Sequence, residues 1–174
     1  MKRVIFLAGL PAVGKSTIAR SLASKFNGSV LDIDRIKREL VDPDTVSTSI
    51  DPPEVRWKCY EQAAKEVLSS LEAGELTVVV DEVFHIHELR EKIEYLFLEK
   101  KVKVDWIEVI CSHQEVAKRL NAVGRAGHIL STKQSLDMNL LFQDIFEPFP
   151  DGKLNHLVFK NENGSSVDDL PLKF

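Results

Sequence analysis

The stretch of the sequence with the clearest chemical potential is residues 9–17, Gly-Leu-Pro-Ala-Val-Gly-Lys-Ser-Thr. It fits the pattern G-x-x-x-x-G-K-S/T at every fixed position. The two glycines let backbone N–H groups point inward around phosphate oxygens, and the helix predicted to follow adds free N–H groups at its N-terminus. Lys15 can place a charge on the β- and γ-phosphates, Ser16 can ligand Mg²⁺, and Thr17 can hydrogen-bond the α-phosphate. The predicted phosphate-binding residues are Gly9, Leu10, Pro11, Ala12, Val13, Gly14, Lys15, Ser16 and Thr17.

Two acids, Asp32 and Asp34, lie at the end of a predicted second strand over residues 30–33. Alternation of side chains along a strand would place both acids on one face. In one interpretation, Asp34 accepts the proton of a substrate hydroxyl as that hydroxyl attacks the γ-phosphate. In the other, Asp34 caps a short helix that begins at Arg35. The two roles are compatible, so Asp34 is a candidate general base that also contacts the substrate.

A third predicted strand, over residues 77–81, ends at Asp81 and is followed by Glu82. An acid at this place in a nucleotide site can hold Mg²⁺ directly or through water. We therefore predict Ser16 and Asp81 as metal ligands, and Asp81 and Glu82 as groups that contact the substrate. The alternative is a turn that carries two solvated acids.

Basic residues occur beside both groups of acids. Lys37 and Arg38 follow Asp34 on the short helix, where they can neutralise the transferred phosphate or bind an acidic substrate; a solvated helix face is the alternative. Arg119 and Arg125 flank a glycine-containing loop. That loop predicts a lid over about residues 124–131 that closes on the γ-phosphate and excludes water, with an exposed turn as the alternative.

The rest of the sequence alternates short β-rich runs with amphipathic helical stretches. Strands are predicted over residues 4–8, 30–33, 77–81, 102–111 and 156–159, and helices over residues 16–26, 35–41, 54–73, 88–101, 113–122 and 133–146. This alternation predicts an α/β fold with a parallel sheet and helices on both faces. Ligands bind such sheets at the carboxyl ends of the strands, which is where the candidate residues lie.

Composition narrows the class of protein. The chain has 174 residues, with 23 basic and 27 acidic side chains and a formal net charge of −4. This acidic balance argues against a nucleic-acid partner, since dedicated nucleic-acid binders carry a basic excess. No apolar run approaches the ~18–20 residues that cross a bilayer, so no membrane partner is expected. We expect a single cytoplasmic domain over residues 1–174.

Together these stretches resemble the small P-loop kinases of the chloramphenicol phosphotransferase and zeta-toxin type. The matching stretches are residues 9–17, 31–34, 78–84, the run from 110 to Arg119 and Arg125, and 158–170. The resemblance implies a three-layer P-loop NTPase fold with strand order 2-3-1-4-5, and transfer of phosphate from ATP, with Mg²⁺, to a hydroxyl with Asp34 as base. Related kinases often carry an arginine three residues after the catalytic acid, and at that position this sequence has Lys37. The lid also lacks the Arg-Gly-Asp-Arg stretch of the chloramphenicol enzyme, so the antibiotic is not the predicted substrate.

The leading hypothesis is thus an ATP-dependent phosphotransferase that acts on a hydroxyl of a small molecule. Its predicted catalytic residues are Lys15, Asp34 and Arg125, and Arg119 and Arg125 are expected to complete the ATP site. One alternative is a nucleoside or nucleotide kinase in which Arg38 and Arg56 bind a phosphate. Another is a nucleotide-binding switch that hydrolyses nucleotide slowly and has no acceptor.

Overall fold

Five parallel strands form one sheet in the computed structural model, which describes residues 1–41, 50–122 and 132–172. The strands are β1 Arg3–Ala8, β2 Ser29–Asp32, β3 Thr77–Asp81, β4 Lys103–Ile110 and β5 His156–Lys160. Their order is β2-β3-β1-β4-β5, and every neighbouring pair is parallel. The predicted fold class and strand order are therefore confirmed.

Helices cover both faces of the sheet. They are α1 Lys15–Lys25, α2 Ile33–Leu40, α3 Pro53–Glu72, α4 His87–Leu98, α5 His113–Ala122 and α6 Thr132–Ile145, with a short 3-10 helix at Val167–Asp169. Within the three described ranges, none of these helices combines the length and the apolar character that crossing a bilayer requires.

The central strand β1 explains why the fold has two cores. All of its residues are buried, as expected for a parallel strand with helices on both sides. Phe6 faces a core shared with α2, α3 and α4, where it stacks on Trp106 with ring centroids 4.6 Å apart. Ile5 and Leu7 point the other way, into a core shared with α1 and α5. β1 is therefore held rigidly, and so is the start of the loop that leaves it.

The start of α2 corrects one sequence-based expectation. The helix begins at Ile33 and not at Arg35, so Asp34 lies in its first turn and is not its N-cap. Asp32 takes that role, because its carboxylate accepts a hydrogen bond of 2.9 Å from the Asp34 backbone N–H. The strand alternation predicted for Asp32 and Asp34 therefore does not apply, because β2 ends at Asp32.

Candidate active site

The loop between β1 and α1 has the backbone shape that its two glycines allow. Gly9 has a φ of 144° and Gly14 a φ of 94°, values that side chains with a Cβ rarely adopt. The buried Lys15 side chain turns back onto this loop, and its Nζ donates to the Gly9 and Leu10 carbonyl oxygens at 3.0 and 2.9 Å. The ammonium group is thus held against the loop at the N-terminus of α1, where an anion binds most favourably.

Two asparagines from distant parts of the chain hold the outside of this loop. Asn139 of α6 donates from its Nδ2 to the Pro11 carbonyl at 2.6 Å. Asn161, just after β5, donates to the Val13 carbonyl at 2.7 Å. These contacts cannot be predicted from the sequence, because a single asparagine carries no spacing pattern that indicates a partner more than a hundred residues away.

Ser16 and Asp81 meet at the carboxyl edge of the sheet. The Ser16 Oγ donates to the Asp81 carboxylate at 2.6 Å, because α1 begins beside the end of β3, the neighbour of β1 in the sheet. Among the residues of known placement, no cluster of three His, Cys, Asp or Glu side chains could hold a metal. A hydroxyl and a carboxylate are nevertheless hard oxygen donors that fit Mg²⁺, which commonly keeps water and phosphate oxygens as its other ligands.

Asp34 lies close to other acids at this edge of the sheet. Burial raises the pKa of its carboxyl, and the nearby charges of Asp32 and Asp81 raise it further. Lys37 and Arg38 oppose this rise. Asp34 is therefore a more basic carboxylate than an ordinary aspartate, which suits a group that accepts a proton near neutral pH.

This environment predicts how the Asp34 pKa responds to one substitution. In Asp32→Asn, the pKa of Asp34 is expected to fall, because a neighbouring negative charge is removed while asparagine still caps α2. If Asp34 must be ionised for activity, the acid limb of the pH profile of kcat/KM then moves to lower pH. Glu39→Gln, on the exposed side of the same helix, is the control and leaves the limb in place. An unmoved limb in a folded Asp32→Asn protein would contradict the prediction.

Glu82 is held by a buried ion pair. Its carboxylate lies 3.1 Å from the Arg56 guanidinium of α3, and the side chains are only 14% and 9% exposed. Burial raises the pKa of Glu82, and Arg56 opposes that rise. Burial lowers the pKa of Arg56, but Glu82, Tyr60 and Asp51 raise it more. Sequence reasoning placed Glu82 here but assigned Arg56 only to the nucleotide-kinase alternative.

The two basic residues of α2 are also paired with acids. Lys37 forms an ion pair with Asp51, just before α3. Arg38 lies 3.6 Å from Asp32, and both of these side chains are more than half exposed. The predicted substrate-binding positions Lys37 and Arg38 therefore lie next to Asp34, as expected, but neither cation is without a carboxylate.

Arg119 lies on the opposite side of the loop from Asp34 in the sheet order. Arg119 lies in α5, forms an ion pair with Glu115 at 2.9 Å and donates a hydrogen bond to the Asn161 carbonyl at 2.9 Å. A Cβ added to Gly14 would lie 3.5 Å from an Arg119 Nη, so the guanidinium sits directly beside the phosphate loop. Arg125 and the lid predicted over residues 124–131 lie outside the described residues.

α6 packs against Arg56 and His85 through one aromatic side chain. Its Phe142 ring contacts the Arg56 guanidinium at 5.4 Å and the His85 ring edge-to-face at 4.9 Å. His85 is 4% exposed, and its Nδ1 has no hydrogen-bond partner among the residues that the structure describes. Burial, Arg56 and Arg90 lower the pKa of His85 to about 4, so the ring is neutral at physiological pH.

The sequence matches one known protein family. A family model described as an AAA domain matches residues 4–143, which include the phosphate loop and the acids of β2 and β3. The chain belongs to this AAA domain family. No curated protein matches this family member by sequence.

Solved structures share the fold of this AAA domain chain. A gluconokinase from Sinorhizobium meliloti 1021 is 16% identical, with a TM-score of 0.65 over 91% of this chain and 82% of that one. A sugar kinase from Janibacter sp. HTCC2649 is 17% identical, with a TM-score of 0.68 over 92% and 86%. The APS kinase CysC of Mycobacterium tuberculosis, in complex with AMPPNP and APS, is 19% identical, with a TM-score of 0.58 over 96% and 91%. At these identities the likeness establishes a common fold.

Proposed function

We propose that the protein is an ATP-dependent phosphotransferase that transfers the γ-phosphate to a hydroxyl of a small molecule. The observation that carries the proposal is the arrangement at one sheet edge: the Lys15 loop, the Ser16–Asp81 pair and the Asp34 carboxyl, whose pKa is raised. A nucleotide-binding protein with no acceptor has no need for a basic carboxylate beside the phosphate loop. The kinases named among the structural neighbours add support from a shared fold.

Each residue has a defined role in this proposal. The loop over residues 9–17 holds the ATP phosphates through its backbone N–H groups and through the positive charge of Lys15. Ser16 and Asp81 would hold Mg²⁺, which neutralises phosphate charge when it is bound. Arg119, with Arg125 of the lid, contributes further positive charge at the γ-phosphate.

The proton in this reaction moves to Asp34. The acceptor O–H gives its proton to the Asp34 carboxylate as its oxygen bonds to the γ-phosphorus, and the bond from that phosphorus to the β,γ-bridging oxygen breaks to release ADP. Glu82, Lys37 and Arg38 lie close enough to Asp34 to act electrostatically with it and orient the acceptor. The small-molecule acceptor, and the expectation that nucleic acid is not a partner, belong to the same proposal.

A screen of hydroxyl-bearing metabolites for ADP release with Mg²⁺ and ATP tests this function. At least one compound is expected to raise ADP release well above basal hydrolysis and to gain one phosphoryl group by mass. Tight nucleotide binding with only slow hydrolysis across the whole library would instead favour a nucleotide-dependent switch. The nucleotide-kinase alternative is less favoured, since Arg38 and Arg56 already pair with Asp32 and Glu82.

A further inference from the structure

Asp34 and the charged side chains around it form a nearly balanced set, which we call the acceptor cluster: Asp34, Lys37, Asp51, Arg56 and Glu82. Two ion pairs organise it, Lys37 with Asp51 and Arg56 with Glu82. Asp51 also lies 4.0 Å from Arg56 and so links the two pairs. Asp34 acts electrostatically on Glu82, and Lys37 acts on Asp34, so the members share one region of the site.

Judged on the described residues, both cations of the acceptor cluster already face a carboxylate, so neither is free for an anionic ligand. The acceptor cluster holds three carboxylates, of Asp34, Asp51 and Glu82, against the two cations Lys37 and Arg56. The adjacent exposed pair of Arg38 and Asp32 adds one charge of each sign. A carboxylate or phosphate on the acceptor would therefore meet an excess of negative charge, and it would have to displace a protein carboxylate to reach a guanidinium.

The ion pair of Arg56 and Glu82 is well suited to binding hydroxyl groups. Arg56 offers only N–H donors and Glu82 only acceptor oxygens, and the two groups lie 3.1 Å apart. Neighbouring hydroxyls of a polyol can each donate to the carboxylate and accept from the guanidinium without breaking the ion pair. His85 and Arg56 both contact the Phe142 ring, and within the described part of the chain the buried His85 Nδ1 has no hydrogen-bond partner. It is a further neutral polar group next to this pair.

We propose that the acceptor is a neutral polyhydroxyl compound recognised by the Arg56–Glu82 pair, and that anionic acceptors are selected against. This inference rests on the proposed phosphotransferase function. It narrows that function to one substrate class, and it separates this chain from enzymes whose acceptor carries a carboxylate or a phosphate.

Matched pairs of acceptors in the ADP-release assay test the inference on the full-length protein. Suitable pairs are glycerol and glycerate, sorbitol and gluconate, and uridine and uridine monophosphate, added to a wider library of hydroxyl compounds. The compounds that are phosphorylated are expected to be neutral, with kcat/KM about tenfold or more above that of their anionic counterparts. An anion that is phosphorylated better than its neutral counterpart overturns the inference but leaves the phosphotransferase function standing. A library with no acceptor at all removes both.

Substitutions at the pair provide a second readout. Glu82→Gln leaves Arg56 without its carboxylate, so the ratio of kcat/KM for anionic to neutral acceptors is expected to rise about tenfold. If this variant does not fold, Asp51→Asn frees charge on Lys37 and Arg56 and is expected to shift the ratio in the same direction. Glu88→Gln removes one negative charge from the exposed face of α4 and leaves the ratio unchanged. An unchanged ratio in folded Glu82→Gln or Asp51→Asn protein contradicts the assignment of the pair.

Discussion

Replacing Asp34 with asparagine is expected to lower phosphoryl transfer by about three orders of magnitude while ATP binding is retained. The amide has nearly the shape of the carboxylate but cannot take the proton of the acceptor hydroxyl. In our proposal the nucleotide is held by the phosphate loop with Lys15 and by Ser16 with Asp81, and not by Asp34. Single-turnover transfer and nucleotide titration, measured on the same preparation, separate the two effects.

The stability of the Asp34→Asn protein provides an independent check. Because the pKa of Asp34 is raised in the folded state, ionisation of this carboxyl opposes folding, and its contribution to stability is lost as pH rises through that folded pKa. The asparagine variant is therefore expected to be at least as stable as the natural protein at pH 7, and to lose this advantage in acid. A loss of activity without a loss of stability distinguishes a catalytic carboxylate from a structural one.

The control for this substitution is Asp151→Asn. Asp151 is exposed in the turn before β5, at the amino edge of the sheet and away from the candidate site. The Asp151→Asn variant is expected to keep full activity. Full activity in Asp34→Asn as well would remove Asp34 from the mechanism.

Replacing Gly9 with alanine is expected to abolish nucleotide binding and to destabilise the fold by about 4 kcal/mol. A Cβ at this position would overlap the backbone carbonyl oxygen of Val109 in β4, and the φ of 144° is itself strained for alanine. Backbone cannot rotate away as a flexible side chain can. The loop would have to move off β4, and the N–H groups that face the phosphates would move with it. Nucleotide titration and urea unfolding measure the two consequences.

Gly74→Ala is the matched control. Gly74 also has a positive φ, but among the described residues no backbone atom lies where its Cβ would be added. Gly74 has a φ of 116°, and an added Cβ there meets no atom within 4 Å. Backbone strain alone predicts a loss of about 1–2 kcal/mol with unchanged nucleotide binding. Equal losses in the two variants would show that the contact with Val109 is unimportant.

Local patterns were sufficient to predict the fold and the phosphate loop. The continuous apolar run of β1 and the glycine–lysine–serine pattern after it are short-range features whose physical demands are strong: burial on both faces, positive φ and a helix N-terminus. The structure places the loop between β1 and α1, and it confirms the strand order, which only the family resemblance implied. The start of α2 was wrong by two residues, since a cap contact between Asp32 and the Asp34 N–H decided it.

The pairing of charges could not be read from the sequence. Lys37, Arg38 and Arg56 each looked available for a phosphate, because a sequence shows a cation but not the carboxylate that faces it. Glu82 is 26 residues from Arg56, and the buried ion pair forms only because α3 packs beside the end of β3. The sequence left the charge of the acceptor open, and the pairing is the basis for our proposal of a neutral compound.

By itself, the sequence determined a parallel α/β fold with a phosphate loop at the carboxyl edge of its sheet, because these features depend on residues that are neighbours along the chain. Only the tertiary structure decided how that edge is used. It brought Ser16 to Asp81, placed Asp34 beside the negative charges of Asp32 and Asp81, and held the loop with hydrogen bonds from Asn139 and Asn161. These properties depend on distances and on the exclusion of water, and both arise only when separate elements pack together.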